Sequence, residues 1–276
     1  MKRALSGVPV AILLLCGKDV SATPSTTYWA PSTTYVQPCL VPHITYDTYF
    51  GRGPAPAAGA TSPAPAQNPP VYPITTGVTM GVLPWEKLQL EVGFDLLLPS
   101  ESPFLFNAKL GTPEGTFFGG SPSLAAGIFG VGTKGGATDF DILYGQIQKN
   151  LPWGGYVSAG GYYGAGPRAL WTSSDGGEHR AGFMGAVSGP DIAVGIPGLK
   201  KIVAVADVQT GKNVFGAGGG GLSFYFTDTI DVLTGPMFFF DKALQPGGRS
   251  LFWTVQLDVD VTLFSPKPSP PAAAGS

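Results

Sequence analysis

The sequence predicts an all-β fold, a closed antiparallel transmembrane β-barrel, on three observations: a long alternating final strand, a low charge content and a series of strand patterns divided by turn residues. Leu251, Trp253, Val255, Leu257, Val259, Val261 and Leu263 take every odd position of the last strand, while Thr254, Gln256, Asp258, Asp260 and Thr262 take even ones. Period-two alternation gives a strand one apolar and one polar face. Ordinary strands run about 5–6 residues, and about 9–11 tilted residues cross a bilayer. Two carboxylates must stay wet on one face while the other face suits lipid. That is the pattern of a membrane-barrel strand.

Composition agrees. Charged residues make up 12% of the chain, against about 25% in an average soluble domain. The 41 glycines and 27 prolines could mark low complexity, but many glycines lie inside alternating apolar segments, which favours a Gly-rich β protein. A formal charge of −2 offers nothing to a nucleic acid. Beyond the N-terminus no apolar run approaches the length of a spanning helix, about 18 residues. A closed barrel is then the one membrane structure that satisfies the backbone.

Residues 1–22 read as an export signal: Lys2 and Arg3 before an apolar Val8–Cys16, then Val20-Ser21-Ala22 as a small-residue cleavage site. The mature chain is expected to begin at Thr23. A lipoprotein box at Cys16 is the rival reading, and Leu15 is larger than the residue such a box normally carries. Cleavage leaves Cys39 as the lone cysteine, so no intramolecular disulfide is expected.

Residues 23–40 form a Pro/Thr-rich arm with a short repeat, Pro24-Ser25-Thr26-Thr27-Tyr28-Trp29-Ala30 and then Pro31-Ser32-Thr33-Thr34-Tyr35-Val36-Gln37. Proline at this spacing excludes a helix or a central strand, so the arm is expected to lie extended in the periplasm. The barrel is assigned to 41–264, interrupted by the Pro/Ala-rich segment 51–72, and the tail 265–276 is read as disordered.

Strand patterns occur at 42–50, 74–82, 88–96, 104–111, 123–133, 138–149, 155–165, 179–188, 201–209, 214–227, 229–240 and 250–264. Twelve strands return both termini to one side; the Gly-rich patterns at 123–133 and 179–188 are weak, so ten is the alternative. Leu83-Pro84-Trp85 and Leu151-Pro152-Trp153 are near-duplicate turns. Both fall on the periplasmic side, which places Trp85 and Trp153, with Phe264, at headgroup level. Longer loops are expected on the opposite side. The competing reading is a soluble sandwich in which Pro-Trp only marks hairpins.

These features resemble the Gram-negative outer-membrane β-barrel proteins. A cleavable signal, alternating Gly-rich strands and a final strand ending in an aromatic, Val259-Asp260-Val261-Thr262-Leu263-Phe264, carry the resemblance. It implies the cell outer membrane, its lipids and the barrel-assembly machinery as partners, with Phe264 in the assembly signal. Residues 265–276 follow that aromatic, which makes the signal internal. More loosely, the hairpin 75–91 (Thr-Thr-Gly-Val-Thr-Met-Gly-Val-Leu-Pro-Trp-Glu-Lys-Leu-Gln-Leu-Glu) is similar to porin-like putative transporter barrels of the phenol-degradation type.

Parity assigns lumen-facing positions. Glu91, Asp95, Asn107, Lys109, Asp207, Asp258 and Asp260 are the candidates for lining a path, with Asp47, Gln209, Asp231 and Gln256 beside them. Acids outnumber bases, so a neutral-solute or mildly cation-leaning lumen is expected. Inward glycines such as Gly77, Gly81 and Gly93 would leave room for water. The expected role is passive, porin-like passage of small solutes. The alternatives are a non-conducting structural or adhesive barrel, and a barrel-embedded lipid-modifying hydrolase using His179 beside Ser173 and Ser174. No metal motif, phosphate-binding loop or dinucleotide fingerprint occurs. No cofactor, metal or catalytic residue is therefore assigned.

Overall fold

The computed structural model describes residues 26–51, 74–98, 100–136 and 138–262. The signal 1–22, most of the 51–72 segment, Phe264 and the tail 265–276 lie outside the described residues. Alternation forms twelve strands: β1 (Pro42–Gly51), β2 (Ile74–Gly81), β3 (Gln89–Leu98), β4 (Phe104–Thr112), β5 (Ser123–Gly132), β6 (Ile142–Asn150), β7 (Tyr156–Gly164), β8 (Ala181–Ser188), β9 (Lys201–Gln209), β10 (Ala217–Tyr225), β11 (Ile230–Phe239) and β12 (Leu251–Asp260). Each pairs antiparallel with its sequence neighbours, and β12 returns to pair with β1. The weak Gly-rich patterns are strands β5 and β8, so the count is twelve.

Closure is set by register. His43 lies opposite Asp260 and Asp47 opposite Gln256 across the β1–β12 seam. In β12 the odd residues Trp253, Val255 and Leu257 are exposed while Thr254, Gln256 and Asp258 are buried. The rule recurs around the barrel, where Phe104, Phe106, Leu110, Leu143, Ile147, Val157 and Phe183 all face outward. A water-soluble protein rarely exposes so continuous an apolar surface. This removes the soluble-sandwich reading. No helix among the described residues is long and apolar enough to cross a membrane; the strands are the crossing elements. An apolar exterior, a polar interior and no free edge make this a transmembrane β-barrel.

One end of the barrel, here the arm end, carries connections 82–88, 113–122, 151–155, 189–200 and 226–229. Trp85 and Trp153 are exposed there. Two of these connections, 113–122 and 189–200, are longer than the expected tight turns, and they hold the exposed Phe117, Phe118, Ile192 and Ile196. Lys149 pairs with Glu114, which also accepts from the backbone N–H of Asn150 at 2.9 Å. The Lys149 hydrogen bond, then the Asn150 one, holds the Glu114 carboxyl below the usual glutamate value. A carboxyl lowered by folding stabilises above its unfolded pKa and loses that contribution as pH falls through its folded pKa. Glu114→Gln is expected to cost under about 1 kcal/mol at neutral pH and nothing under acid, read from urea midpoints across pH. An equal cost at both extremes would remove the assignment.

The largest departure from expectation is the arm. Residues 26–41 do not extend into the periplasm; they fold into the lumen, where Tyr28, Ala30, Ser32, Thr33, Thr34, Val36 and Gln37 are all buried. The physical reason is the repeat itself. Proline removes backbone donors and fixes an extended path, while Ser-Thr-Thr supplies hydroxyls that match a polar barrel interior. Leu40, with φ at 59°, sits where the chain leaves the lumen for β1. In the full chain Cys39 is disulfide-bonded; the expected lone cysteine belongs to the chain cleaved after residue 22, and the other cysteine of the sequence, Cys16, lies outside the described residues.

Candidate functional site: a plugged lumen and its residual cavity

The arm is held from most sides of the barrel. Thr34 Oγ1 is 2.6 Å from Ser123 Oγ of β5. Gln148 of β6 accepts from Thr33 Oγ1 and from the backbone N–H of Thr34, both at 3.0 Å. Ser158 of β7 donates to the carbonyl of Ser32. The backbone N–H of Gln37 donates to Glu91 Oε2 of β3 at 2.8 Å, and Gln256 Nε2 of β12 to the carbonyl of Tyr28 at 2.8 Å. Every one of these wall groups lies at an inward parity position.

Asp207 on β9 is the principal anchor. Its Oδ2 accepts from the backbone N–H groups of Tyr28, Trp29 and Ala30 at 3.1, 2.9 and 2.9 Å, and from Ser32 Oγ at 3.0 Å. Successive N–H groups converging on one oxygen form an anion-binding nest. Here a side chain of the wall fills it. The space expected for water at Gly81 is also taken, because a Cβ there would lie 2.1 Å from the carbonyl oxygen of Gln37. At Gly219 a Cβ would meet the Tyr28 ring at 2.6 Å. These inward glycines seat the arm.

At the opposite end the mouth is covered from within. Connection 165–180 carries the fully buried Trp171, which packs on Tyr162 and Phe215 with ring centroids 6.0 and 5.0 Å apart. Trp29 of the arm donates its indole N–H to the carbonyl of Phe215 at 2.8 Å and stands edge-on to Tyr49 and Phe239. Connection and arm thus share one apolar cluster.

The seven candidate lumen residues all lie on inward faces, and the fold divides them. Glu91 and Lys109, directly opposite across β3–β4, form a buried ion pair at 3.2 Å. Asp95 accepts from Asn107 Nδ2 at 2.6 Å, and Asn107 Oδ1 accepts from the N–H of Gly130 at 2.8 Å. Asp207 holds the arm. Asp258 and Asp260 clasp His43, whose Nδ1 is 2.8 Å from Asp260 Oδ1 and whose Nε2 is 3.2 Å from Asp258 Oδ1. Asp231 faces Asp258 across β11–β12 and accepts from Ser223. Sequence reading missed His43 as a wall residue. The signal was present, since it shares parity with Thr45 and Asp47 in β1.

A cavity of about 370 Å³ remains between the arm, the β1–β6 wall and the connections that hold Phe215 and Gln245. Asp47, Glu91, Asp95, Asn107 and Lys109 line its polar part, and Trp29, Tyr49, Phe129, Phe140 and Phe215 its aromatic part. Asp207, Asp258 and Asp260 do not border it.

The loop named in the hydrolase alternative has its own local hydrogen bonds. Ser173 donates to Asp175 and the Gly177 carbonyl, and no hydrogen bond joins it to His179. The Ser173 hydroxyl, then the Gly177 N–H, holds the Asp175 carboxyl below its usual value. These contacts shape a tight loop. Among the described residues no group of His, Cys, Asp and Glu is placed to hold a metal ion.

No protein-family model matches the chain, and no curated protein matches it. Solved structures do. An outer membrane channel from Pseudomonas putida is 10% identical, with 84% of this chain and 99% of that chain covered and a TM-score of 0.45. Outer membrane phospholipase A from Escherichia coli is 13% identical over 81% of this chain and 93% of that chain, TM-score 0.43. A mutant of the Rh. blastica porin is 16% identical over 68% of this chain, with a TM-score of 0.34, and the match takes in 55% of the porin's length. Likenesses this distant carry no functional argument; the barrel assignment rests on the strand pairing and the apolar exterior.

Proposed function

We propose that this protein is a porin-like channel of the outer membrane that passes small solutes through a lumen narrowed by its own N-terminal arm. The observation that carries the reading is the cavity of about 370 Å³ left beside the arm, bordered by the charged Glu91, Asp95 and Lys109. Eight strands leave an interior filled by side chains and sixteen leave an open channel. Twelve strands with a seated arm leave a restricted path. Membrane lipids and the barrel-assembly machinery are the partners this role requires, with the arm end toward the periplasm. A lipid-modifying hydrolase is the less favoured reading, because Ser173 donates to Asp175 rather than to His179.

The packed arm favours a second reading, a barrel that stays shut until the arm moves. Planar-bilayer recording separates the two. The full chain is expected to give small, discrete steps, and deletion of 26–37 larger ones. Silence from the full chain with steps from the deletion selects the arm-gated barrel. Silence from both, with insertion demonstrated, removes the channel reading.

A further inference from the structure

The residual cavity has a chemistry of its own. Three carboxylates, Asp47, Glu91 and Asp95, face a single ammonium, that of Lys109. Glu91 is spent on Lys109 and the arm, and among the described residues Asp95 takes only the neutral amide of Asn107. Asp47 accepts no hydrogen bond and forms no ion pair with any described residue. Tyr49 follows two positions along the same face of β1, and Trp29 stands edge-on to it at 5.5 Å. Aromatic rings and unneutralised carboxylates therefore share one wall. Both attract a cation, the rings through their negative faces and the acids directly.

A second, independent observation marks the cavity as a place for a ligand. Gln245, only 3% exposed, borders it. Its Nε2 donates to the Val214 carbonyl at 3.0 Å, while its Oε1 has no hydrogen-bond partner among the described residues. A buried amide oxygen left without a donor is costly. An N–H from a bound molecule would satisfy it once the Gln245 side chain turns toward the cavity. The volume falls within the range of small-molecule sites, about 300–1,000 Å³.

We propose that the cavity binds an organic ammonium ion with an apolar body, its charge at Asp47 and Asp95 and its body against Trp29, Tyr49 and Phe129. The inference deepens the passage reading by naming the solute class, and it rests on that reading only for the route by which the solute arrives. The test uses three probes with one shape: phenethylammonium, phenylacetate and phenethyl alcohol. Binding is measured by calorimetry on the full chain folded in detergent.

Phenethylammonium is expected to bind at least about tenfold more tightly than phenylacetate, a difference of roughly 1.4 kcal/mol. The double variant Asp47→Asn, Asp95→Asn should lose that preference and keep its weak affinity for phenethyl alcohol. Asp47→Asn alone removes no hydrogen bond, so it serves if the double variant fails to fold. Phenylacetate binding as tightly as the cation, unchanged cation binding in the variants, or no binding of any probe would overturn the proposal. Bilayer recording keeps the two readings apart: cation binding by a silent barrel ends only the passage reading, and conductance without cation binding ends only the site.

Discussion

Asp207→Ala frees the arm. The substitution removes the acceptor shared by the N–H groups of Tyr28, Trp29 and Ala30 and by the Ser32 hydroxyl. A buried donor left without an acceptor costs about 1–3 kcal/mol. The arm escapes this cost by leaving the lumen, where water satisfies it. A loss of about 3 kcal/mol multiplies the arm-out population roughly a hundredfold. Two readouts follow. Chymotrypsin should cut at Tyr28, Trp29 or Tyr35, which the seated arm protects, and single-channel conductance should rise toward that of the arm deletion. Asp207→Asn retains an acceptor oxygen but loses the charge, and charge-assisted bonds are about twice as strong as neutral ones; it should fall between. Full protection and unchanged conductance in Asp207→Ala would show that the other wall contacts suffice.

His43→Ala should cost the barrel itself. The imidazole is fully buried and touches one carboxylate with each nitrogen. Its position makes it structural: it is on the first strand, and both acids are on the last, so it staples the seam that closes the barrel. Without it Asp258 and Asp260 keep each other's company, with Asp231 directly opposite Asp258. Breaking a buried pair by removing one partner costs about 3–5 kcal/mol. Urea unfolding of the refolded barrel, followed by the gel shift between folded and heat-denatured forms, measures it. Adding Asp258→Asn and Asp260→Asn to His43→Ala should recover part of the loss, since neutral amides remove the repulsion. A triple variant no more stable than the single one would mean that packing, not charge, is what His43 supplies. The clasp also changes what Asp258 and Asp260 can do for a solute, because both are occupied by the wall and neither borders the cavity.

Strand identity was legible residue by residue. Val255, Gln256, Leu257 and Asp258 announce their faces because a strand turns each successive side chain through the sheet, and membrane and lumen are opposite solvents. The same parity put Glu91, Asp95, Asn107, Lys109 and Asp207 inside. What each of them touches was not legible. Glu91 meets Lys109 through register across a hairpin, but Asp207 meets Tyr28 across 179 positions of sequence, and no local pattern encodes such a distance. Gly81 showed the same limit. Small residues on an inner face read as room for water, and only the packed arm reveals what fills the room.

The amino-acid sequence by itself therefore determined the barrel: the facing of its side chains, its apolar belt and its acidic interior, with the choice between ten and twelve strands left to the structure. These follow from local periodicity and from solvent on two sides, which act on every strand separately. The tertiary structure alone decided where the arm goes and what remains open. A Pro-interrupted, hydroxyl-rich segment has no apolar face and no internal hydrogen-bond ladder, so its conformation is set by the surface it meets. The polar wall of a closed barrel provides that surface, with Asp207, Gln148 and Glu91 already in place. The cavity of about 370 Å³ is the space the arm does not fill.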